Sequence, residues 1–171
     1  EGATHSNRDT YTVEDAFDFV APNDRTGYEF LGWFDAATDG NQVTGIVLGS
    51  TGDVTVWAHW NAKQYTVTLD ANYTAGTNGS VNFTYGTKTK SAYTAVSNKF
   101  GYTLLGYYTL AENGVKILDA NGDIEGTNKS GWIDADGNWI RTTADSKLYA
   151  HWSAITGIDY YVYHYKMNAD D

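Results

Sequence analysis

The stretch Gly27-Tyr28-Glu29-Phe30-Leu31-Gly32-Trp33-Phe34 returns later in the chain as Gly101-Tyr102-Thr103-Leu104-Leu105-Gly106-Tyr107-Tyr108. The shared pattern is Gly-Tyr-x-apolar-Leu-Gly-aromatic-aromatic, and its two copies are 74 residues apart, from Tyr28 to Tyr102. A repeated block of this length indicates internal duplication, so we expect two related structural units in the chain.

A second block follows the first in the same order. Val56-Trp57-Ala58-His59-Trp60 returns as Leu148-Tyr149-Ala150-His151-Trp152, with 92 residues between Trp60 and Trp152, so the second copy holds 18 more residues between its blocks. We therefore predict a first repeat module at residues 1–61 whose first strand is missing or atypical. A second module at 62–154 carries an insertion at about 111–140, and residues 155–171 form the start of a further unit or a linker.

The hydrophobic pattern predicts strands. In Val81-Asn82-Phe83-Thr84-Tyr85 apolar and polar residues alternate, which is typical of a half-buried strand. Asn113-Gly114 and Asp136-Gly137 are hairpin-turn dipeptides. Short helices are conceivable only at residues 13–20 and 89–97, and both segments could equally be strands. The predicted fold class is α+β, strand-dominated, with at most a short helix per module.

Composition and charge exclude several classes of protein. The chain has 171 residues, 21 acidic and 11 basic side chains and a formal charge of −10, so a surface for nucleic acid or anionic membrane is not expected. With 42% hydrophobic residues it can bury a core, yet no apolar run is long enough for a membrane-spanning helix. The absence of cysteine excludes disulfides, thiolate metal sites and a cysteine nucleophile.

Catalytic and metal-binding patterns are not evident in the sequence. Counted from Asp119, positions six and twelve of a calcium loop would be Ile124 and Ser130, where the EF-hand requires glycine and glutamate. His59 and His151 hold equivalent repeat positions, so duplication explains them without a catalytic pair. We predict no catalytic residues, no metal site, no cofactor and no enzymatic activity.

Aromatic side chains are the candidate ligand-binding groups. Trp132 and Trp139 lie in the insertion, in a segment that could turn at Asp136-Gly137 and present one or both rings outward. Strand alternation directs Tyr149 and His151 away from the face that holds Leu148 and Ala150. The alternative is that the insertion's tryptophans pack against the module as additional core, which is the usual place for so large an apolar surface.

The two blocks together resemble the Listeria–Bacteroides repeat, also called the internalin B-repeat. The resemblance rests on Gly-Tyr-x-Phe-x-Gly-Trp at Gly27–Trp33 and on the strands that end Trp-Ala-His-Trp or Tyr-Ala-His-Trp. It implies tandem small β-grasp, ubiquitin-like modules on large secreted or wall-attached bacterial proteins, without catalytic activity. Gly106-Tyr107-Tyr108, where the family usually has Gly-Trp-Tyr, and the insertion depart from the family pattern.

The expected function is a non-catalytic repeat module of a bacterial cell-surface or secreted protein, which acts as a spacer or stalk and as an adhesion surface. The expected location is extracellular, at the cell surface or cell wall. The alternative is a module that binds carbohydrate or host glycoprotein through Trp132, Trp139, Tyr149 and His151. The expected partners are a host or environmental glycan or glycoprotein and the neighbouring modules of the same chain.

Overall fold

A computed structural model describes residues 4–157 and 161–165. Ten strands make up its regular structure: β1 Phe17–Asp18, β2 Tyr28–Phe34, β3 Gly45–Ile46, β4 Trp57–Ala62, β5 Gln64–Asp70, β6 Gly79–Thr84, β7 Lys90–Thr94, β8 Tyr102–Tyr108, β9 Lys116–Leu118 and β10 Ser146–Ala154. We call residues 4–62 the first unit and residues 64–154 the second unit.

The second unit is built on one curled six-stranded sheet in the order β7-β6-β5-β10-β8-β9. Its central pair, β5 and β10, runs parallel, with Val67 opposite Ser146 and Asp70 opposite Tyr149. All other neighbours in this sheet are antiparallel. A strand from each end of the unit therefore lies at the centre of its sheet.

The first unit has two small sheets, an antiparallel pair of β2 and β4 and a short antiparallel pair of β1 and β3. Trp33 and Ile46 are its buried hydrophobic residues among those described. The first unit thus buries much less apolar surface than the second.

The β2–β4 pair and the β8–β10 pair have the same register. Trp33 lies opposite Ala58 in one pair, and Tyr107 lies opposite Ala150 in the other. Each register shifts at the glycine of the repeated block, where Gly32 has φ of 139° and Gly106 has φ of 134°. Glycine is needed there because a Cβ on Gly106 would lie 2.4 Å from the carbonyl oxygen of Leu118.

The core of the second unit lies on the inner face of the curled sheet. Alternate residues of its strands point into this core, as the sequence predicts, and the insertion adds Ile133 and Trp139. The completely buried members with the largest side chains are Trp139, Tyr107, Phe83, Leu69, Ile117, Leu118, Ile133, Leu148, Val67 and Val81.

The α+β, β-grasp prediction is wrong, because the described residues form strands, turns and loops with no helix. Residues 13–20 hold a turn and β1, and residues 89–97 hold β7. The physical reason is visible at β7, which extends the sheet by pairing with β6 and directs Tyr93 toward the core. Within the described residues, no helix is long and apolar enough to cross a membrane.

Candidate binding surfaces

Trp139 of the insertion is part of the core. Its side chain has 0% exposure, its ring stacks on Phe83 with centroids 4.5 Å apart, and its Nε1 donates to the carbonyl of Arg141 at 2.9 Å. Its backbone N–H donates to the carbonyl of Thr87, and its carbonyl accepts from the N–H of Gly86. Trp139 therefore offers no ring face to a ligand. It packs as part of the core, which is the alternative that the sequence left open for the tryptophans of the insertion.

Trp132 covers the edge of this core. It meets Trp139 edge-to-face with centroids 5.6 Å apart, and the guanidinium of Arg141 lies 4.6 Å from its ring centre. The side chain is only partly buried. One face of Trp132 is thus held by a cation–π contact, and its main environment is the protein itself.

Tyr149 and His151 lie on the other face of the sheet. They alternate along β10 with Leu148 and Ala150, which belong to the same core as Trp139. Because successive strand residues point to opposite faces, the structure does not bring the four predicted site residues together. The predicted set divides into a packed tryptophan pair and an outward pair on β10.

Each outward histidine is held by a stack and a hydrogen bond. His151 lies on Tyr108 with ring centroids 3.9 Å apart and planes 5° apart, and its Nε2 lies 2.9 Å from the carbonyl oxygen of Leu110. A carbonyl only accepts, so Nε2 carries the proton and donates. His59 repeats this arrangement on Phe34, at 4.0 Å and 8°, with its Nε2 2.9 Å from the carbonyl oxygen of Ala36.

The outer faces therefore carry the same row of aromatic groups in both units. In the first unit the row is Phe34, Trp57 and His59, and in the second it is Tyr108, Tyr149 and His151. Trp57 is 38% exposed and Tyr149 is partly exposed. Strand alternation indicated the outward position of Tyr149 and His151, but not that Phe34 and Tyr108 are the stacking partners of the two histidines.

Acidic side chains stabilise turns. The Asp134 carboxylate accepts from the backbone N–H of Asn138 at 2.7 Å and from that of Asp136 at 3.0 Å, and the bond from Asn138 is the main cause of its lowered pKa. Asp35 is held in the same way by the backbone N–H of Asn41, which lowers the pKa of that carboxyl. These carboxylates are occupied by donors of their own turns.

The segment at residues 119–125, whose sequence was compared with a calcium-binding loop, also has an aspartate that accepts hydrogen bonds from its own turn. One carboxylate oxygen of Asp119 accepts from the backbone N–H groups of Asn121 and Asp123, at 2.8 Å and 2.9 Å. Within the described ranges, no group of three or more histidine, aspartate and glutamate side chains is placed to hold a metal ion. The segment is a turn built on Asp119.

The two units meet at Lys63, between β4 and β5. Its backbone N–H donates to the carbonyl of Gly27 at 2.8 Å, and its carbonyl accepts from the N–H of Tyr85 at 2.9 Å. The rings of Tyr28 and Tyr85 meet edge-to-face with centroids 5.5 Å apart. A Cβ on Gly27 would lie 2.2 Å from the Tyr85 ring, so glycine is required at this joint.

A groove in the first unit was not evident from the sequence. It has a volume of about 520 Å³ and lies between residues 5–13 on one side and residues 50–56 on the other. Aromatic and aliphatic side chains line its inner wall: Phe17, Phe19, Trp33 and Ile46. At one end its two sides are joined by the Tyr11 hydroxyl, which donates to the carbonyl of Gly52.

Comparisons of the chain with protein-family models, with curated proteins and with solved structures found no match.

Proposed function

We propose that the chain is a non-catalytic spacer module of a bacterial cell-surface or secreted protein, which holds neighbouring segments at a fixed relative orientation. The observation that carries this proposal is the joint at Lys63, where the backbone of one residue is hydrogen-bonded to both units. Because both peptide groups of Lys63 are held, only the φ and ψ of this one residue can change the angle between the units, whereas a flexible linker has many free dihedrals.

The contacts around Lys63 support a stiff joint. Tyr28 packs on Tyr85 across it, and the guanidinium of Arg25 lies 4.0 Å from the ring centre of Tyr28. The Tyr85 ring also packs directly against the backbone of Gly27. The two hydrogen bonds hold one peptide group of Lys63 to each unit, so bending is confined to the φ and ψ of Lys63 and would separate the Tyr28–Tyr85 pair.

Several histidine and aspartate side chains are held by hydrogen bonds within the chain, which supports a structural role for them. His59 and His151 donate to loop carbonyls, and Asp35, Asp119 and Asp134 accept from the backbone of their own turns. Groups held in this way contribute to turn and sheet geometry. The bacterial surface location draws its support from the resemblance of the repeated blocks to the Listeria–Bacteroides repeat, from which the helix-free fold departs.

The spacer proposal is tested by small-angle scattering, at concentrations where the protein is monomeric, on the chain and on a variant with a four-residue Gly-Ser insertion after Lys63. We expect the chain to scatter as one rigid particle and the insertion variant to show a larger, broader distribution of distances. A matched insertion at Gly157, beyond β10, controls for added length. Equal flexibility of the chain and the joint-insertion variant would contradict a stiff joint.

A second candidate function is binding of carbohydrate or glycoprotein on the outer faces. It is favoured by the recurrence of an aromatic row in both units, because sugar rings stack on exposed aromatic faces. The test is a polysaccharide and mucin binding screen of the chain beside a Trp57→Ala, Tyr149→Ala variant. Trp132→Ala is the matched control from the opposite face of the sheet. Loss of binding in the double variant alone would support this candidate, and equal binding by all three proteins would contradict it.

A further inference from the structure

The groove of the first unit lies where the second unit has its central strand. Tyr11 precedes Tyr28 by the same number of residues as Tyr85 precedes Tyr102, so residues 5–10 correspond to β6. The side chain of Asn7 bonds both backbone groups of Val20, accepting at 2.6 Å and donating at 3.0 Å. The Asn7 side chain thus connects residues 5–10 to the segment that corresponds to β7, where β6 and β7 pair through their backbones.

The opposite side of the groove corresponds to the start of β10. Residues 54–57 match Ser146–Tyr149 by the offset of the second block, and in the second unit those residues pair with β5 in parallel. Val56 is only partly buried, whereas its counterpart Leu148 is completely buried. Leu148 has β5 beside it, whereas none of the described strands pairs with residues 54–56.

The counterparts of β6 and β10 thus face each other across the groove with its apolar wall between them. In the second unit β5 lies in this position, antiparallel to β6 and parallel to β10. A strand that entered the groove would therefore run antiparallel to residues 5–10 and parallel to residues 54–57. Such strand addition gains main-chain hydrogen bonds together with pockets for alternate side chains.

The other end of the chain carries a segment suited to this position. The N–H of Ile155 donates to the carbonyl of Gly101 at 2.9 Å, as the N–H of Lys63 does to that of Gly27 at 2.8 Å. After Lys63 the chain enters β5. After Ile155 it leads to residues 161–165, Tyr-Val-Tyr-His-Tyr, in which the apolar residues are at least 75% exposed. This composition strongly favours a strand.

We propose that the groove is a strand-acceptor site and that its occupant is the segment around residues 161–165 of a second copy of this chain. Tyrosine and valine side chains of the incoming strand would pack against Phe17 and Phe19, which are only partly buried, and beside the buried ring of Trp33. The contact is heterologous, because each copy uses its groove for one neighbour and its tail for another. It therefore leads to open head-to-tail chains of copies and not to a closed symmetric dimer.

The first test is the mass of the full chain by sedimentation as its concentration rises. Tyr163→Pro removes a main-chain donor and breaks strand geometry in the tail, while Tyr163→Thr keeps both and is the matched control. We expect the chain and the threonine variant to form a series of growing species and the proline variant to stay monomeric. A monomeric chain at every concentration, or equal growth of the proline variant, would overturn the proposal.

The second test locates the acceptor. Thr55→Pro should disable the groove and leave the tail intact, so each proline variant alone should be monomeric and an equal mixture of the two should form dimers that grow no further. A labelled peptide of residues 157–166 should also bind the Tyr163→Pro chain with saturation, which keeps the test independent of whether Thr55→Pro perturbs the first unit. Failure of this peptide to bind would contradict the assignment of the groove.

Discussion

His151 lies flat on Tyr108, with ring centroids 3.9 Å apart and planes only 5° apart. The same relationship joins His59 to Phe34 in the first unit. In both units the histidine also donates to a carbonyl of the loop that follows the partner strand. The repeated histidine therefore fastens that loop to the sheet.

Replacement of this histidine should destabilise its unit. His151→Ala removes an aromatic contact and a hydrogen bond, which together contribute about 1–2 kcal/mol to the free energy of unfolding. Urea denaturation followed by tryptophan fluorescence measures the loss. Phe100→Ala, at an aromatic side chain that is 87% exposed, is the control and should leave the unfolding midpoint unchanged. An unaltered midpoint for His151→Ala would show that the stack contributes nothing.

The bulge glycine should be sensitive to the smallest side chain. Gly106→Ala places a Cβ 2.4 Å from the carbonyl oxygen of Leu118 at φ of 134°, so we expect a loss of about 1–3 kcal/mol or more. Gly157→Ala is a matched control, because Gly157 also has positive φ but no atom within 4 Å of its Cβ position. Equal thermal stability of the two variants would contradict a steric role for Gly106.

The two tryptophans of the insertion should differ sharply. Trp139→Ala empties a completely buried site stacked on Phe83, and the expected loss is about 3–5 kcal/mol of unfolding free energy. Trp132→Ala should cost clearly less because its side chain is partly exposed. Calorimetric melting of both variants checks the order. The reverse order would contradict the packing described for the insertion.

The aspartates that accept hydrogen bonds within their own turns should make the stability of the folded chain depend on pH in the acid range. The backbone N–H of Asn138 lowers the pKa of folded Asp134, so the carboxylate's contribution is fully present above its unfolded pKa and is lost as pH falls below about 4. Asp134→Asn should therefore melt with a weaker dependence on acid than the unaltered chain. Asp136→Asn, an exposed position at the tip of the same turn, is the control. Identical melting profiles at low pH for all three proteins would contradict this account.

Sequence patterns were sufficient for some strands but not for the fold around them. The second repeated block correctly indicated the strands at Trp57–Ala62 and Ser146–Ala154, whereas the first block was not assigned to the strands that it forms, Tyr28–Phe34 and Tyr102–Tyr108. The second block also separated Ala150 from His151 by face, because alternation is a local property of a strand. Residues 13–20 and 89–97, which the sequence left open between helix and strand, hold β1 and β7, because short segments without a clear apolar stripe are decided by tertiary pairing.

The candidate surfaces depended on contacts between distant residues. Trp139 packs on Phe83, and nothing near either residue in sequence indicates the other. The groove likewise exists only because residues 5–13 and 50–56 come together around Trp33. Local patterns report which residues face inward, but not which inward-facing residues meet.

The stiffness of the joint at Lys63 is tested most directly by residual dipolar couplings of backbone amides, measured separately in the two units of the Tyr163→Pro chain. If Lys63 holds both units through Gly27 and Tyr85, the two sets of couplings should fit one alignment tensor with one orientation and magnitude. Tensors of clearly different magnitude for residues 28–62 and 64–154 would show that the units reorient independently, and would contradict the spacer account.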